Sequence, residues 1–284
     1  RIVSEGDTAR AARTATDLAL HLLARRLDAR DRADRAARAA IDALPDAADP
    51  ELQDFLDRFY NRLEEAYRGP EDEIAQRLSV YLPDMLAAHD RTGGLPVLDL
   101  GCGRGEWLAV LRDAGIPGLG CDTNAVQLER ATARGLDVRE DDAQAVLDAQ
   151  APGSLSAVTA HHLVEHLPFE TVAQITRAAF RALAPGGLLL YETPHTGNVL
   201  VGATTFHTDP THLKPMPEQV LHVLFETAGF DPVERRRLNP HERLDEFVAR
   251  EGFDRELAHL LFGPQDLAVL GVKPGGPVDA TGAA

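Results

Sequence analysis

Lysine is all but missing from this chain. Lys214 and Lys273 are its only two, beside abundant arginine. Cysteine is just as scarce: Cys102 and Cys121 are too few for a disulfide framework or a Cys-type zinc centre, so a reducing cytoplasm is the expected location. No apolar run approaches the roughly 20 residues that span a membrane. The nearest N-terminal candidate, 18–24, is broken by His21 and followed by Arg25 and Arg26, which suits neither a signal peptide nor an anchor. A cationic surplus is missing too. Twenty-nine Lys and Arg face 45 Asp and Glu, a formal net charge of -16, and that speaks against nucleic acid as a main partner.

What is there suits a folded domain. Hydrophobic residues make up 44% and charged residues 26% of 284, enough for one large α/β domain and an appendage. Residues 8–43 are rich in Ala, Arg and Asp, with Leu18, Leu20, Leu22, Leu23 and Leu27 at helical spacing, and Pro45 and Pro50 punctuate the run. In 51–67, Leu52, Phe55, Phe59, Leu63 and Tyr67 recur three or four apart, one face of a helix that has to pack on something. Residues 1–69 are therefore expected to form a helical cap or a homodimer arm. Gly69-Pro70 ends that helix and another starts at Glu71.

From Pro96 the pattern alternates. Strands are expected at 97–100, 118–121, 136–139, 155–160, 187–193, 232–238 and 267–272, and helices at 106–114, 125–134, 144–149, 170–183 and 218–228. Alternation of this kind gives right-handed crossovers and a doubly wound parallel sheet with its ligands at the carboxyl edge. Residues 194–216 fit neither period and form a long connection of the kind that is usually functional. The catalytic domain is expected over 70–273, and the Gly/Pro/Ala-rich tail, 274–284, is expected to be disordered.

The most informative stretch is Asp99-Leu100-Gly101-Cys102-Gly103-Arg104-Gly105, where a strand runs into a glycine-rich turn and then a helix. Gly101 and Gly103 let the backbone approach a ligand with positive φ, and Gly105 permits tight helix packing. Alone, such a pattern serves a dinucleotide or is a tight turn. Asp122 ends the second strand, where an acid accepts from both ribose hydroxyls, and Glu140-Asp141-Asp142-Ala143 ends the third, where a carboxylate takes an adenine amine. Asp99 ahead of the glycines suits a cationic amino-acid ligand better than a pyrophosphate.

With these motifs in order, the chain resembles the class I S-adenosylmethionine-dependent methyltransferases over about 70–273. The resemblance rests on the glycine motif, Asp122, Asp142-Ala143 and the turn Leu183-Ala184-Pro185-Gly186-Gly187. It implies an α/β Rossmann-like seven-stranded sheet with a reversed final hairpin, an N-terminal helical extension, and a helical insertion near 253–262. It also implies that Asp99, Gly101, Gly103, Asp122, Thr123, Asp142, Ala143 and His161 hold S-adenosylmethionine. An acid common at the start of strand four is here Ser156.

After strand four comes His161-His162-Leu163-Val164-Glu165-His166-Leu167. If this segment turns helically, His162, Glu165 and His166 share a face at i, i+3 and i+4. Imidazole and carboxylate together suit a divalent ion such as Mn, Zn, Fe or Mg, and His212 in the long connection supplies a fourth ligand. A second reading makes Glu165 and His166 plain packing and hydrogen-bonding groups. The cluster resembles that of the metal-dependent small-RNA 2′-O-methyltransferases, although His162 stands where they carry glutamate. A closer resemblance is to bacterial methyltransferases of polysaccharide and secondary-metabolite pathways, through Tyr67-Arg68-Gly69, Val164 to Phe169, Glu192-Thr193-Pro194 and Asp209-Pro210-Thr211-His212. It implies O-methylation of a small molecule or sugar, with Tyr60, Tyr67 and Arg68 helping to close the cofactor pocket. Because an oxygen nucleophile benefits from a base or a Lewis acid, His162, His166 and His212, with Glu165, are the catalytic groups expected around the acceptor. The alternatives are a cyclase or lyase using the same cofactor, and a non-catalytic partner subunit.

Overall fold

The computed structural model describes residues 51, 52, 55, 56, 58, 59, 62, 63 and 69–275. The chain divides into two compact units, Arg1–Glu64 and Glu65–Ala284, and the described positions of the first are helical. Most of the expected arm at 1–69, including all of 1–50 together with Tyr60, Tyr67 and Arg68, and the tail from 276 onward lie outside the described residues.

In the second unit, α1 (Glu71–Leu78) begins after Pro70 with three acids in its first turn, which complement the helix dipole, and buries Ile74 and Leu78. A short 3₁₀ turn (Ser79–Tyr81) leads into α2 (Leu82–Arg91). Then strands and helices alternate: β1 (Val97–Leu100), α3 (Glu106–Asp113), β2 (Gly118–Asp122), α4 (Ala125–Ala133), β3 (Val138–Glu140), α5 (Ala143–Asp148), β4 (Leu155–His161), α6 (Phe169–Ala182) and β5 (Leu183–Pro194). α7 (Val199–Ala203), α8 (Glu218–Ala228), β6 (Val233–Pro240), α9 (Leu244–Ala249), α10 (Arg255–Phe262) and β7 (Pro264–Val272) complete it.

The sheet has seven strands in the order β3-β2-β1-β4-β5-β7-β6. Strands β1 to β5 pair in parallel, and β7 runs antiparallel between β5 and β6. β1 and β4 are buried along their whole length because helices cover both faces, so their apolar runs are continuous rather than alternating. On one face α6 lays Val172, Ile175, Ala179 and Ala182 on the sheet. On the other, Tyr81, Met85, Trp107 and Leu111 pack against Val97, Leu188 and Leu190. Each large side chain removed from water there contributes about 1.5–3 kcal/mol. The exposed edge strand β6 carries Arg235, Arg236 and Arg237 in ion pairs with Glu218, Asp84 and Glu234, charges that discourage edge-to-edge pairing.

Two expectations need correction. The connection 194–216 holds α7 and a 3₁₀ turn (Thr205–Thr208). Asn198 makes this possible by capping α7 through its side-chain oxygen, while its amide donates to the Gly263 carbonyl at 2.9 Å. The expected turn 183–187 lies inside β5, at the register shift opposite Leu155 and Ala157, with Gly186 at φ +83°. The helical insertion expected near 253–262 is present as α10, with α9 ahead of it. Ser156 uses its hydroxyl locally, donating to the Pro96 carbonyl at 3.0 Å. No helix among the described residues is long and apolar enough to cross a membrane.

Candidate functional site

At the carboxyl edge, Gly101, Gly103 and Gly105 have φ of +66°, +52° and +79°, a region L side chains rarely enter. At Gly105 a Cβ would meet Leu136 at 2.5 Å and Ala131 at 3.1 Å, so this glycine seats α3 against α4. Asp122 at the end of β2 accepts the Gly103 N–H at 2.9 Å through Oδ2 and the Asn124 N–H at 2.8 Å through Oδ1. Each oxygen has a further lone-pair site. Asp99 is buried, 2% exposed, and accepts the Thr159 hydroxyl at 2.7 Å. Asp142 caps α5 through one oxygen, with Ala143 as the first helical residue, and Thr123 is exposed next to Asp122. Neighbouring strands lie about 4.8 Å apart, so the ends of β1, β2 and β3 set these groups along roughly 10 Å. His161 is buried between the rings of Tyr81 and Trp107, at centroid distances of 5.6 and 5.5 Å. The buried Trp107 N–H has no acceptor among the described residues.

The histidine cluster is not the single set that its spacing predicts. His162 has φ +52°, which takes the chain out of helical register, and only Val164–His166 make one 3₁₀ turn. Two sets result, with Glu165 beside both. In one, ligand atoms of Glu165, His166 and His212 lie within 4.8 Å of one another; in the other, those of His162, Glu192 and Asp266 do.

Hydrogen bonds fix the tautomers of the first set. The Thr211 hydroxyl donates to Asp209 at 2.6 Å. Having one proton, it accepts from His166 Nδ1–H at 2.8 Å. His212 Nδ1–H donates to the Phe206 carbonyl at 2.6 Å. Both rings therefore keep Nε2 as the atom with a lone pair to offer, the usual arrangement of a metal ligand or a base. Burial holds His166 below the ordinary imidazole pKa, against the raising charge of Glu165 and with help from His212. The backbone carbonyl of Glu165 accepts the Leu213 N–H at 2.9 Å, fastening the His212 loop to the sheet edge.

Glu165 is wholly buried; its Oε1 accepts from His162 Nδ1 at 3.2 Å and its Oε2 from the Thr193 hydroxyl at 3.0 Å. Burial alone would raise its pKa, but the hydrogen bond and charge of His162 outweigh burial and lower it. Burial likewise pulls His162 down, and hydrogen bonds to Glu165 and Glu192 hold it well above the usual range. Asp266, Tyr81 and Asn239 escape a sequence reading, and Glu192 enters it only within the Glu192-Thr193-Pro194 motif. Glu192 lies near the end of β5, while Asp266 comes level with Pro194 only through the antiparallel β5–β7 register.

The family model for a methyltransferase domain matches residues 33–235. The "Probable S-adenosylmethionine-dependent methyltransferase" of Mycolicibacterium smegmatis is 30% identical over 165 residues, 57% of this chain and 62% of that protein. The "Ubiquinone biosynthesis O-methyltransferase" of Methylococcus capsulatus is 33% identical over 114 residues, 38% of this chain and 47% of that one. The chain thus spans about half to two thirds of these relatives. Among solved structures, a SAM-dependent methyltransferase from Archaeoglobus fulgidus superposes with TM-score 0.66 at 27% identity, over 76% of this chain and all of that one. A Haemonchus contortus N-methyltransferase in complex with phosphomonomethylethanolamine and S-adenosylhomocysteine shares the fold, with TM-score 0.50 at 19% identity over 68% of this chain and 52% of that one.

Proposed function

Because the chain belongs to the class I S-adenosylmethionine-dependent methyltransferases, we propose that it methylates an oxygen of a small-molecule or sugar acceptor seated beside Glu165, His166 and His212. The carrying observation is the pair of imidazoles whose Nδ1 protons are tied down and whose Nε2 atoms are left to act. Oxygen as the acceptor atom is supported by the O-methyltransferase among the relatives, and a cytoplasmic setting by the two free, buried thiols.

The residues fit the cofactor. Left-handed glycines, the further lone pairs of Asp122 and the unmatched Trp107 N–H are features a bound nucleoside and amino acid would complete. Two imidazole nitrogens and a carboxylate oxygen likewise suit Zn, Mn or Fe better than Mg. Bound S-adenosylmethionine supplies a methyl group on a sulfonium, and a divalent ion held by Glu165, His166 and His212 would supply a Lewis acid that acidifies a hydroxyl. The chain's own work is to hold and orient. Asp99 and Asp122 fix the cofactor, while a neutral imidazole Nε2 takes the hydroxyl proton where no ion is held.

Incubation with S-adenosylmethionine and a panel of phenols, catechols and sugar alcohols is expected to yield S-adenosylhomocysteine. Methylthioadenosine instead would mean cyclase or lyase chemistry. Elemental analysis of untagged protein separates the two versions of the acceptor site. A metal-free protein that keeps full activity after exhaustive chelation has a histidine base and no ion. Asp122→Ala is expected to weaken S-adenosylmethionine binding by about 1–3 kcal/mol, the cost of losing a charge-assisted partner. Calorimetry that finds the affinity unchanged removes Asp122 from the cofactor site.

A further inference from the structure

The second set of ligand-type side chains lies at the same sheet edge, where β4, β5 and β7 meet. His162 Nε2 stands 3.3 Å from Glu192 Oε1 and 3.7 Å from Asp266 Oδ1. Ligands about 2.1 Å from a tetrahedral ion stand roughly 3.4 Å apart, so these separations already match a coordination polyhedron.

Each of the three groups is also held at its other end. His162 Nδ1 donates to Glu165 Oε1 at 3.2 Å, the carboxylate–histidine pairing that orients metal-bound imidazoles. Glu192 Oε2 accepts from the Tyr81 hydroxyl, and Asp266 Oδ2 accepts from the Asn239 amide at 2.8 Å. The other three atoms, Nε2, Oε1 and Oδ1, lie within 4.8 Å of one another, and an ion there would replace the contact between His162 Nε2 and Glu192 Oε1. The backbone is bent to bring this about. His162 at φ +52° and Asn239 at φ +53° are the non-glycine residues with positive φ among the described residues, a conformation that costs about 1–3 kcal/mol and persists where surrounding structure imposes it.

Charge points the same way. Three carboxylates, Glu165, Glu192 and Asp266, lie within 3.7 Å of the His162 ring nitrogens, with His166 beside Glu165 and His161 beside Glu192 as the further imidazoles. The guanidinium groups that act on this pocket, Arg77 and Arg236, pair elsewhere, with Glu73 at 3.9 Å and with Asp84 and Glu234. A carboxyl group taken out of water needs a counter-charge nearby.

We propose that His162, Glu192 and Asp266 form a second divalent-cation site, separate from Glu165, His166 and His212, with the Glu165 carboxylate between the two. One nitrogen and two carboxylate oxygens suit Mn, Fe or Zn. The side chain of His162 is 44% exposed, which leaves an open side for water or an acceptor oxygen.

Manganese is the probe, titrated into the full chain with free Mn²⁺ read by electron paramagnetic resonance. Asp266→Asn keeps the side chain's size and is expected to remove one bound equivalent, while His212→Ala leaves that equivalent in place. Unchanged S-adenosylmethionine binding reports an intact fold in each variant. If Asp266→Asn binds as much manganese as the parent, the site does not exist. If His212→Ala alone changes nothing, the reading of Glu165, His166 and His212 as ligands fails and this one stands. Crystals of the unmodified chain soaked in manganese decide independently. An anomalous peak between His162 Nε2, Glu192 Oε1 and Asp266 Oδ1 supports the site, and a map without one there overturns it.

Discussion

Replacing His212 by alanine is expected to lower kcat by about 10²–10⁴-fold, the span over which a positioned base or acid acts, while the affinity for S-adenosylmethionine stays unchanged. The ring is a side chain of a loop fastened to the sheet edge by the Leu213 N–H and the Glu165 carbonyl. Its removal takes one Nε2 from the proposed acceptor site and leaves the Glu165 backbone contact in place. The ring contacts with His166 at 4.7 Å and Phe206 at 4.6 Å are lost as well, so a modest fall in melting temperature accompanies the kinetic effect. The prediction holds for an ion ligand and for a base alike, since either needs that lone pair. Turnover at the parent rate would remove His212 from the chemistry altogether.

The largest effect on stability is expected at Glu165. Its carboxylate has no exposure and joins the His162 imidazole to the Thr193 hydroxyl. Glu165→Ala leaves the imidazole without one of its counter-charges and the hydroxyl without its acceptor. Leaving the buried Thr193 hydroxyl without its acceptor and the half-exposed imidazole without a counter-charge costs about 1–3 kcal/mol, which lowers the melting temperature by roughly 5 °C in a domain of this size. Glu165→Gln keeps the volume and an oxygen for Thr193, so it should lose less. Differential scanning calorimetry of the parent and both variants checks the order. Equal melting temperatures for all three would mean that the carboxylate carries no net stabilisation.

Much of this is local, and local features can be read from a sequence. Asp99-Leu100-Gly101-Cys102-Gly103-Arg104-Gly105 specifies a strand, a turn with positive φ and a helix start, because only glycine enters that region cheaply. The alternation after Pro96 gives the parallel sheet, since apolar runs of strand length separated by amphipathic helices can bury themselves in few other ways. Asp122 follows in the same manner, being the last residue of β2.

The histidine cluster shows where local reading stops. The spacing of His162, Glu165 and His166 would align three ligands on a helix, but the segment is not one. A positive φ at His162 sends its ring towards β5 and β7, where Glu192 and Asp266 draw it. That choice depends on two carboxylates that lie 30 and 104 residues further along and that meet only in the antiparallel β5–β7 pairing. The tautomers of His166 and His212 are settled the same way, by Thr211 and by the Phe206 carbonyl. Residue types and backbone propensities act over a few positions and are written in the order of the chain. Which side chains share a buried pocket, and how their protons are arranged, follows from contacts between distant segments, and these the tertiary structure alone decides.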